Sequence, residues 1–204
     1  MNDNDRSVSG AQVSAGAEIK SESRQSSIVE WFNRLQESRN AGVRARLRRA
    51  RNRAESLGEP MAIELARRLN GKKELQANDA RTLAAIDLSR VLAHARQHEG
   101  RRRFMQQLGW QQFPGSQSES DAGAIRPILA EIRFRRVLLT TPGEDMVTTL
   151  IRLVRQLDGT VNVESLAWDM MDWYDENRRE KVKQRWSFDY FAANQPTSTG
   201  ATTN

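Results

Sequence analysis

From Ser27 to about Ala193 apolar side chains recur at helical spacing, and no stretch shows the sustained alternation of a strand. The pattern predicts an all-α chain of about nine helices. Ser27 followed by Glu30 makes a capping box that opens a first helix, with Ile28, Trp31, Phe32 and Leu35 on one face. Gly42 introduces an arginine-rich helix, Val43 to Leu57, which Gly58 stops. Pro60 suits the first turn of a third helix that ends at Asn70-Gly71, and Asn78 caps a long fourth running to about His98. A short fifth piece covers Arg101 to Leu108. Pro127 fits the first turn of a sixth helix, and Thr141-Pro142-Gly143-Glu144 is a second capping box opening a seventh, which ends at Asp158-Gly159. Asn162 caps an eighth helix and Asp175 a ninth.

Residues 1–26 and 194–204 are rich in small polar residues without periodicity and are expected to be disordered. Gly, Ser and Pro concentrate in 109–123, the expected linker between an N-terminal bundle (27–108) and a C-terminal bundle (124–193). No internal repeat of fixed period is present, and two antiparallel helical bundles joined by a loop is the economical arrangement.

The chain has 204 residues, enough to bury a core without metal or disulfide staples, and it contains no cysteine. That excludes a thiol nucleophile and a cysteine-based zinc site. No apolar run approaches the ~20 residues needed to cross a bilayer, and the N-terminus is polar where a signal peptide needs an apolar segment. These features lead to the expectation of a soluble, cytoplasmic protein. The formal net charge is +6, and of 32 basic residues only five are lysine, leaving 27 arginines. Arginine's planar fork suits phosphate contacts and stacks on bases, which favours a nucleic-acid partner. A genome rich in G and C also writes arginine for lysine, but does not explain where the arginines cluster.

The densest cluster is the arginine helix. Val43, Leu47, Ala50, Ala54 and Leu57 form a narrow apolar stripe, with Arg44, Arg48 and Arg51 on one flank and Arg46, Arg49 and Arg53 on the other. Val43 to Ala54 contains no acidic residue. Like charges three or four apart repel, so folding alone does not favour this run, whereas a polyanion partner does. The bland alternative is a solvated face paired with acidic groups elsewhere. On the seventh helix Met146, Val147, Leu150, Ile151 and Val154 define the core side, which presents Arg152 to solvent. Arg135 and Arg136 fall on the side of Ile128, Ile132 and Leu139, and are expected to pack their stems and pair their heads.

The ninth helix sets Val182, Trp186 and Tyr190 on one side and Phe188 and Phe191 nearly opposite. Trp186 is therefore expected in the core, and Phe188 and Phe191 at a partner interface. Arg178 and Arg179 open this helix at the end where the macrodipole disfavours cations, which hints at a binding use.

Enzymatic readings fare poorly. His94 and His98 are four apart, a metal-pair spacing, but without cysteine or the glutamate of an HExxH motif they read as surface helix residues. Asp169, Asp172, Asp175 and Glu176 are accounted for by charge complementarity with Arg178 and Arg179, and Gly71-Lys72-Lys73 lacks P-loop spacing. No catalytic residue, metal site or cofactor is expected.

Two stretches carry a family resemblance: IRFRRVLL (Ile132 to Leu139) and LAWDMMDWYDENRREKVKQRWSFDYFA (Leu166 to Ala192). They resemble the CasB small-subunit family of the type I-E CRISPR surveillance complex Cascade, whose members carry an RFRRLL-like helix, a Trp-rich helix and a closing RW.FDYF-like helix. The resemblance spans about Ile28 to Ala192 and is strongest after Pro127. It implies an all-helical, non-catalytic subunit present in two copies, in contact with the backbone and large subunits, the guide RNA and the target DNA. It also implies a role in holding the displaced strand of the R-loop, with Arg44, Arg48, Arg49, Arg51, Arg53, Arg152, Arg178 and Arg179 as sequence-independent contacts. The polar extension before Ser27 and the tail after Ala193 depart from the family pattern. The rivals are a free-standing helix-turn-helix regulator, for which Arg49, Asn52 and Arg53 imitate a recognition helix, and a purely structural assembly protein whose arginines bridge to acidic subunits.

Overall fold

The computed structural model describes residues 27–71, 74–76, 78–109 and 127–191. The expectations for 1–26, 110–126 and 194–204 lie outside these. The described residues form ten helices: α1 (27–36), α2 (Ala41–Arg49), α3 (Arg53–Leu57), α4 (Pro60–Asn70), α5 (Ala80–Leu92), α6 (Phe104–Leu108), α7 (Glu131–Val137), α8 (Glu144–Gln156), α9 (Val163–Tyr174) and α10 (Glu176–Phe191). The all-α expectation holds. One two-residue parallel bridge pairs β1 (Gln97–His98) with β2 (Thr160–Val161).

Helix α5 is the centre. From Ala84 to Leu92 every side chain is buried, and the helix packs against α2, α3, α4, α8 and α9. Apolar or small residues hold most positions from Leu83 to Leu92, so the helix has no wide polar face to turn to solvent and sits inside the others. Its four buried polar residues, Thr82, Asp87, Ser89 and Arg90, must then find partners within the protein. Ile28, Trp31, Phe32 and Leu35 of α1 are buried as their spacing predicts, and the Trp31 indole donates to the Met61 carbonyl of α4 at 2.9 Å.

The arginine segment is not one helix. It stops at Arg49 and restarts at Arg53, which supplies the tenth helix. Two interactions favour the break. The Asn52 side chain accepts the Glu55 amide at 3.0 Å and caps α3, and the buried Arg90 guanidinium donates to the Ala50 carbonyl at 3.1 Å, filling an acceptor that a continuous helix would have used internally. The turn takes the expected stripe apart: Leu47 stays buried, Leu57 is 49% exposed, and Ser56 is buried instead.

Other boundaries also differ. Asp79, not Asn78, caps α5, because its carboxylate accepts the Thr82 amide, and α5 ends at Leu92, well before His98. Helix α7 begins after Pro127, at Glu131, and buries Phe134 and Val137, while Ile132 and Leu139 are 66% and 80% exposed. The side expected to be core there is the outer one. Gly143, not Thr141, precedes α8, and its amide is taken by the Tyr174 hydroxyl at 3.0 Å. The α8 stop is as expected: Asp158 and Gly159 both have positive φ, and Gly159 lies so close to the Arg96 backbone that a Cβ would crowd it. Asn162 caps α9 by accepting the Ser165 amide at 2.9 Å.

Helices α9 and α10 pack together through Trp173 and Trp186, whose rings are 4.7 Å apart. Helix α7 is held against α10 by the stacked rings of Phe134 and Tyr190, centroids 4.0 Å apart, and by the Tyr190 hydroxyl donating to the Leu129 carbonyl at 2.6 Å.

Candidate nucleic-acid interface

The arginines of α2 and α3 divide by partner. Arg44 donates to the Gln36 amide oxygen, Arg46 holds Glu59 in a two-bond fork (2.6 and 3.0 Å), and Arg53 pairs with the fully buried Asp87. Arg48, Arg49 and Arg51 are exposed and make no ion pair among the described residues. Folding neutralises Arg46 and Arg53 and leaves three guanidinium groups facing water around the α2–α3 turn. The imitation of a recognition helix fails at the same place, because Asn52 spends its side-chain oxygen on a cap and Arg53 is tied to Asp87.

On α8, Arg152 is exposed as its phase predicts. Its neighbours are informative: Arg152 lines a concave groove between α7 and α8 together with Arg133 and Arg136. Arg135 pairs with Glu131 on the outer face, whereas Arg136 is exposed and makes no ion pair among the described residues, contrary to its expected structural role. One turn after Arg152, Arg155 approaches His94 Nδ1 at 3.4 Å. His94 is buried rather than on the surface, and burial, followed by the nearby Arg155 and Arg48 guanidinium charges, lowers its pKa to about 4. This neutral imidazole therefore sits between the arginines of α2 and those of α8, two sets far apart in sequence. Residues at i and i+3 share a helix face, so Arg152 and Arg155 continue the band toward the α7–α8 groove. Pattern reading missed Arg133, Arg136 and Arg155; the repeated three-residue spacing of arginine on α7 and α8 was the available signal.

At the start of α10, Arg178 is half engaged with Asp172 (3.2 Å) and Asp175 (3.4 Å), and Arg179 donates to the Trp173 carbonyl at 2.9 Å. Asp169 does something else. It is fully buried, accepts from the Trp186 indole at 2.7 Å, from Arg103 at 3.1 Å and from Arg185 at 2.9 Å, and so joins α6, α9 and α10. Burial raises its carboxyl pKa, and the Arg185 and Arg103 charges oppose that rise. Trp186 is buried as expected. Phe188 is 73% exposed, but Phe191 turns inward and packs edge-on to Phe134 and Tyr190. The two phenylalanines differ in exposure: Phe188 faces solvent and Phe191 is partly covered.

His98 lies in β1, where Nδ1 accepts the Val163 amide at 3.2 Å, and no group of three or more metal-ligating side chains occurs among the described residues. No helix among them is long and apolar enough to cross a membrane.

Comparison with curated proteins and with solved structures finds no match. Residues 43–191, well over half of the chain, match the family described as CRISPR-associated protein Cse2. That span takes in the arginine turn, the buried α5, the α7–α8 groove and the aromatic α10. The chain is a member of the CRISPR-associated protein Cse2 family, the CasB small subunit of the type I-E Cascade complex.

Proposed function

We propose that this Cascade small subunit binds nucleic acid without sequence preference through Arg48, Arg49, Arg51 and Arg152, and that it thereby stabilises the displaced strand of the R-loop. The observation that carries this reading is the division of the arginines on α2 and α3: Arg46 and Arg53 are paired with carboxylates, and Arg48, Arg49 and Arg51 are left exposed around one turn with no carboxylate partner among the described residues. Guanidinium groups facing water supply phosphate contacts, which give affinity without base information. R-loop formation is nearly balanced in energy, so a few such contacts decide how long the open state persists. The subunit is non-catalytic in this reading. It acts in the cytoplasm beside the backbone and large subunits and a second copy of itself, with Phe188 as the apolar contact they would cover.

The test is a salt titration of the full chain against unrelated single strands and duplexes. Affinity is expected to vary little with sequence and to fall steeply with salt. The Arg48→Ala/Arg49→Ala/Arg51→Ala variant is expected to reduce the log–log salt slope on single strands by about 0.7 for each phosphate contact removed, and to shorten R-loop lifetime in assembled Cascade. Strong preference for one duplex supports a regulator instead. Salt-independent binding, or a variant with unchanged slope and lifetime, overturns the proposal.

A further inference from the structure

The groove between α7 and α8 has a chemistry that the α2–α3 turn lacks. It encloses about 490 Å³, within the ~300–1,000 Å³ range of small-ligand clefts. Its floor is apolar, made by Val137 and Leu153, and its rim carries Arg133, Arg136 and Arg152 with the Thr149 hydroxyl among them. None of the three arginines makes an ion pair among the described residues, although Arg135 between them does. Asp145 is the one carboxylate along the continuation of the groove toward Leu139, and it too has no ion-pair partner among the described residues. Three unpaired guanidinium groups around a cleft suit an anion that carries a flat ring, because guanidinium both binds phosphate and stacks on planar groups.

We propose that this groove holds one unstacked nucleotide of a single strand, its phosphates on the arginines and its base stacked on a guanidinium plane above the nearly covered Val137 and Leu153. This rests on the nucleic-acid reading above and adds a preference to it. A duplex keeps its bases stacked and cannot insert one, whereas a single strand presents its bases to aromatic, apolar or guanidinium surfaces. The band from Arg48 past His94 and Arg155 to Arg152 would lead such a strand to the groove.

The experiment compares an oligothymidine strand with the same strand carrying a central run of abasic sites, and with a duplex of equal length. The full-length protein is expected to bind the intact strand about fivefold or more tightly than the abasic one, the scale of a guanidinium–ring contact. Arg133→Ala/Arg136→Ala, at two exposed positions, is expected to keep the unfolding midpoint, weaken binding and erase the base-dependent difference. Thr149→Leu, which narrows the cleft, keeps the charges and adds no stacking ring, is expected to reduce the difference too. Arg48→Ala/Arg51→Ala is expected to weaken both strands alike and preserve it. Equal affinity for intact and abasic strands overturns the groove proposal and leaves the general reading standing. No measurable binding to any strand overturns both. A groove variant that binds strands like the parent but fails to enter Cascade overturns the proposal in favour of an acidic protein segment as occupant.

Discussion

Tyr174 donates its hydroxyl to Asp87 at 2.6 Å while accepting the Gly143 amide at 3.0 Å, so one side chain on α9 joins the middle of α5 to the start of α8. Burial, reinforced by the Asp87 charge, raises the phenol's pKa and keeps it a donor. Asp87 also holds Arg53, and Arg90 lies 3.7 Å away with its own bonds to Glu144 (2.7 Å) and the Ala50 carbonyl. A single buried carboxylate thus organises α3, α5, α8, α9 and the α2–α3 turn.

Removing that carboxylate is expected to be severe. Asp87→Ala leaves Arg53 without its carboxylate, takes one nearby charge from the buried Arg90 and is expected to cost about 3–5 kcal/mol, while Tyr174→Phe, which loses two hydrogen bonds and no charge, costs about 1–3 kcal/mol. Urea unfolding of the two variants measures both. A loss below about 0.5 kcal/mol for Asp87→Ala, typical of surface sites, would show that the network contributes little.

Neighbouring arginines are expected to separate by phenotype. Arg53→Ala leaves Asp87 with a weaker set of partners and is expected to lower stability by about 3 kcal/mol. Arg49→Ala, four residues away, is expected to leave the unfolding midpoint in place and weaken nucleic-acid binding. Paired midpoint and affinity measurements on the two variants check the division; a stability loss at Arg49 equal to that at Arg53 would contradict it.

His94 predicts a pH dependence whose sign is fixed. Its folded pKa of about 4 lies below the ordinary 6.5, so between these values the unfolded chain binds the extra proton and stability rises with pH. The contribution is whole above about pH 6.5 and is lost as pH falls to about 4. The cations facing the ring are Arg155, Arg48 and Arg90. Melting temperatures across this window are expected to fall less steeply for His94→Gln than for the parent. Parallel curves would show that the imidazole is not the group responsible.

The two terminal phenylalanines are expected to behave differently. Phe188→Ser should leave the monomer intact and impair incorporation into Cascade, whereas Phe191→Ser removes an edge-on ring contact and is expected to cost about 1–3 kcal/mol in the isolated chain. Trp186→Ala, which empties a buried site and leaves Asp169 without its indole donor, is expected to cost about 3–5 kcal/mol. Unfolding curves and co-elution with the other subunits separate these effects. Normal incorporation of Phe188→Ser would make that ring an idle surface residue.

Local periodicity was enough to find α1, α4, α8 and α9, because each has one wide apolar face and a stop or cap formed within a few residues, such as Asn70-Gly71 or Asn162. It failed where a distant group intervened. Nothing near Ala50 announces that Arg90, forty residues on, will take its carbonyl and help end α2. On α7 the apolar positions run around the helix, and local spacing pointed to the side of Ile132 and Leu139, whereas the Tyr190 ring selects the side of Phe134. The same limit applies to the candidate site. Exposure of Arg48, Arg51 and Arg152 is legible from helix phase or charge density, but the pairing of Arg53 with Asp87 and the meeting of Arg48 and Arg155 at His94 depend on contacts between helices.

The wall of the α7–α8 groove is thinly attached. Seven residues long, α7 buries only Phe134 and Val137, while α5 is enclosed over most of its length. Cooperative opening is governed by how much packing must be broken, so the backbone amides of α7 are expected to exchange their hydrogens far sooner than those of α5, through excursions that never unfold the centre. Slowing of that exchange in the presence of a single strand would then report occupancy of the groove without any label on the protein.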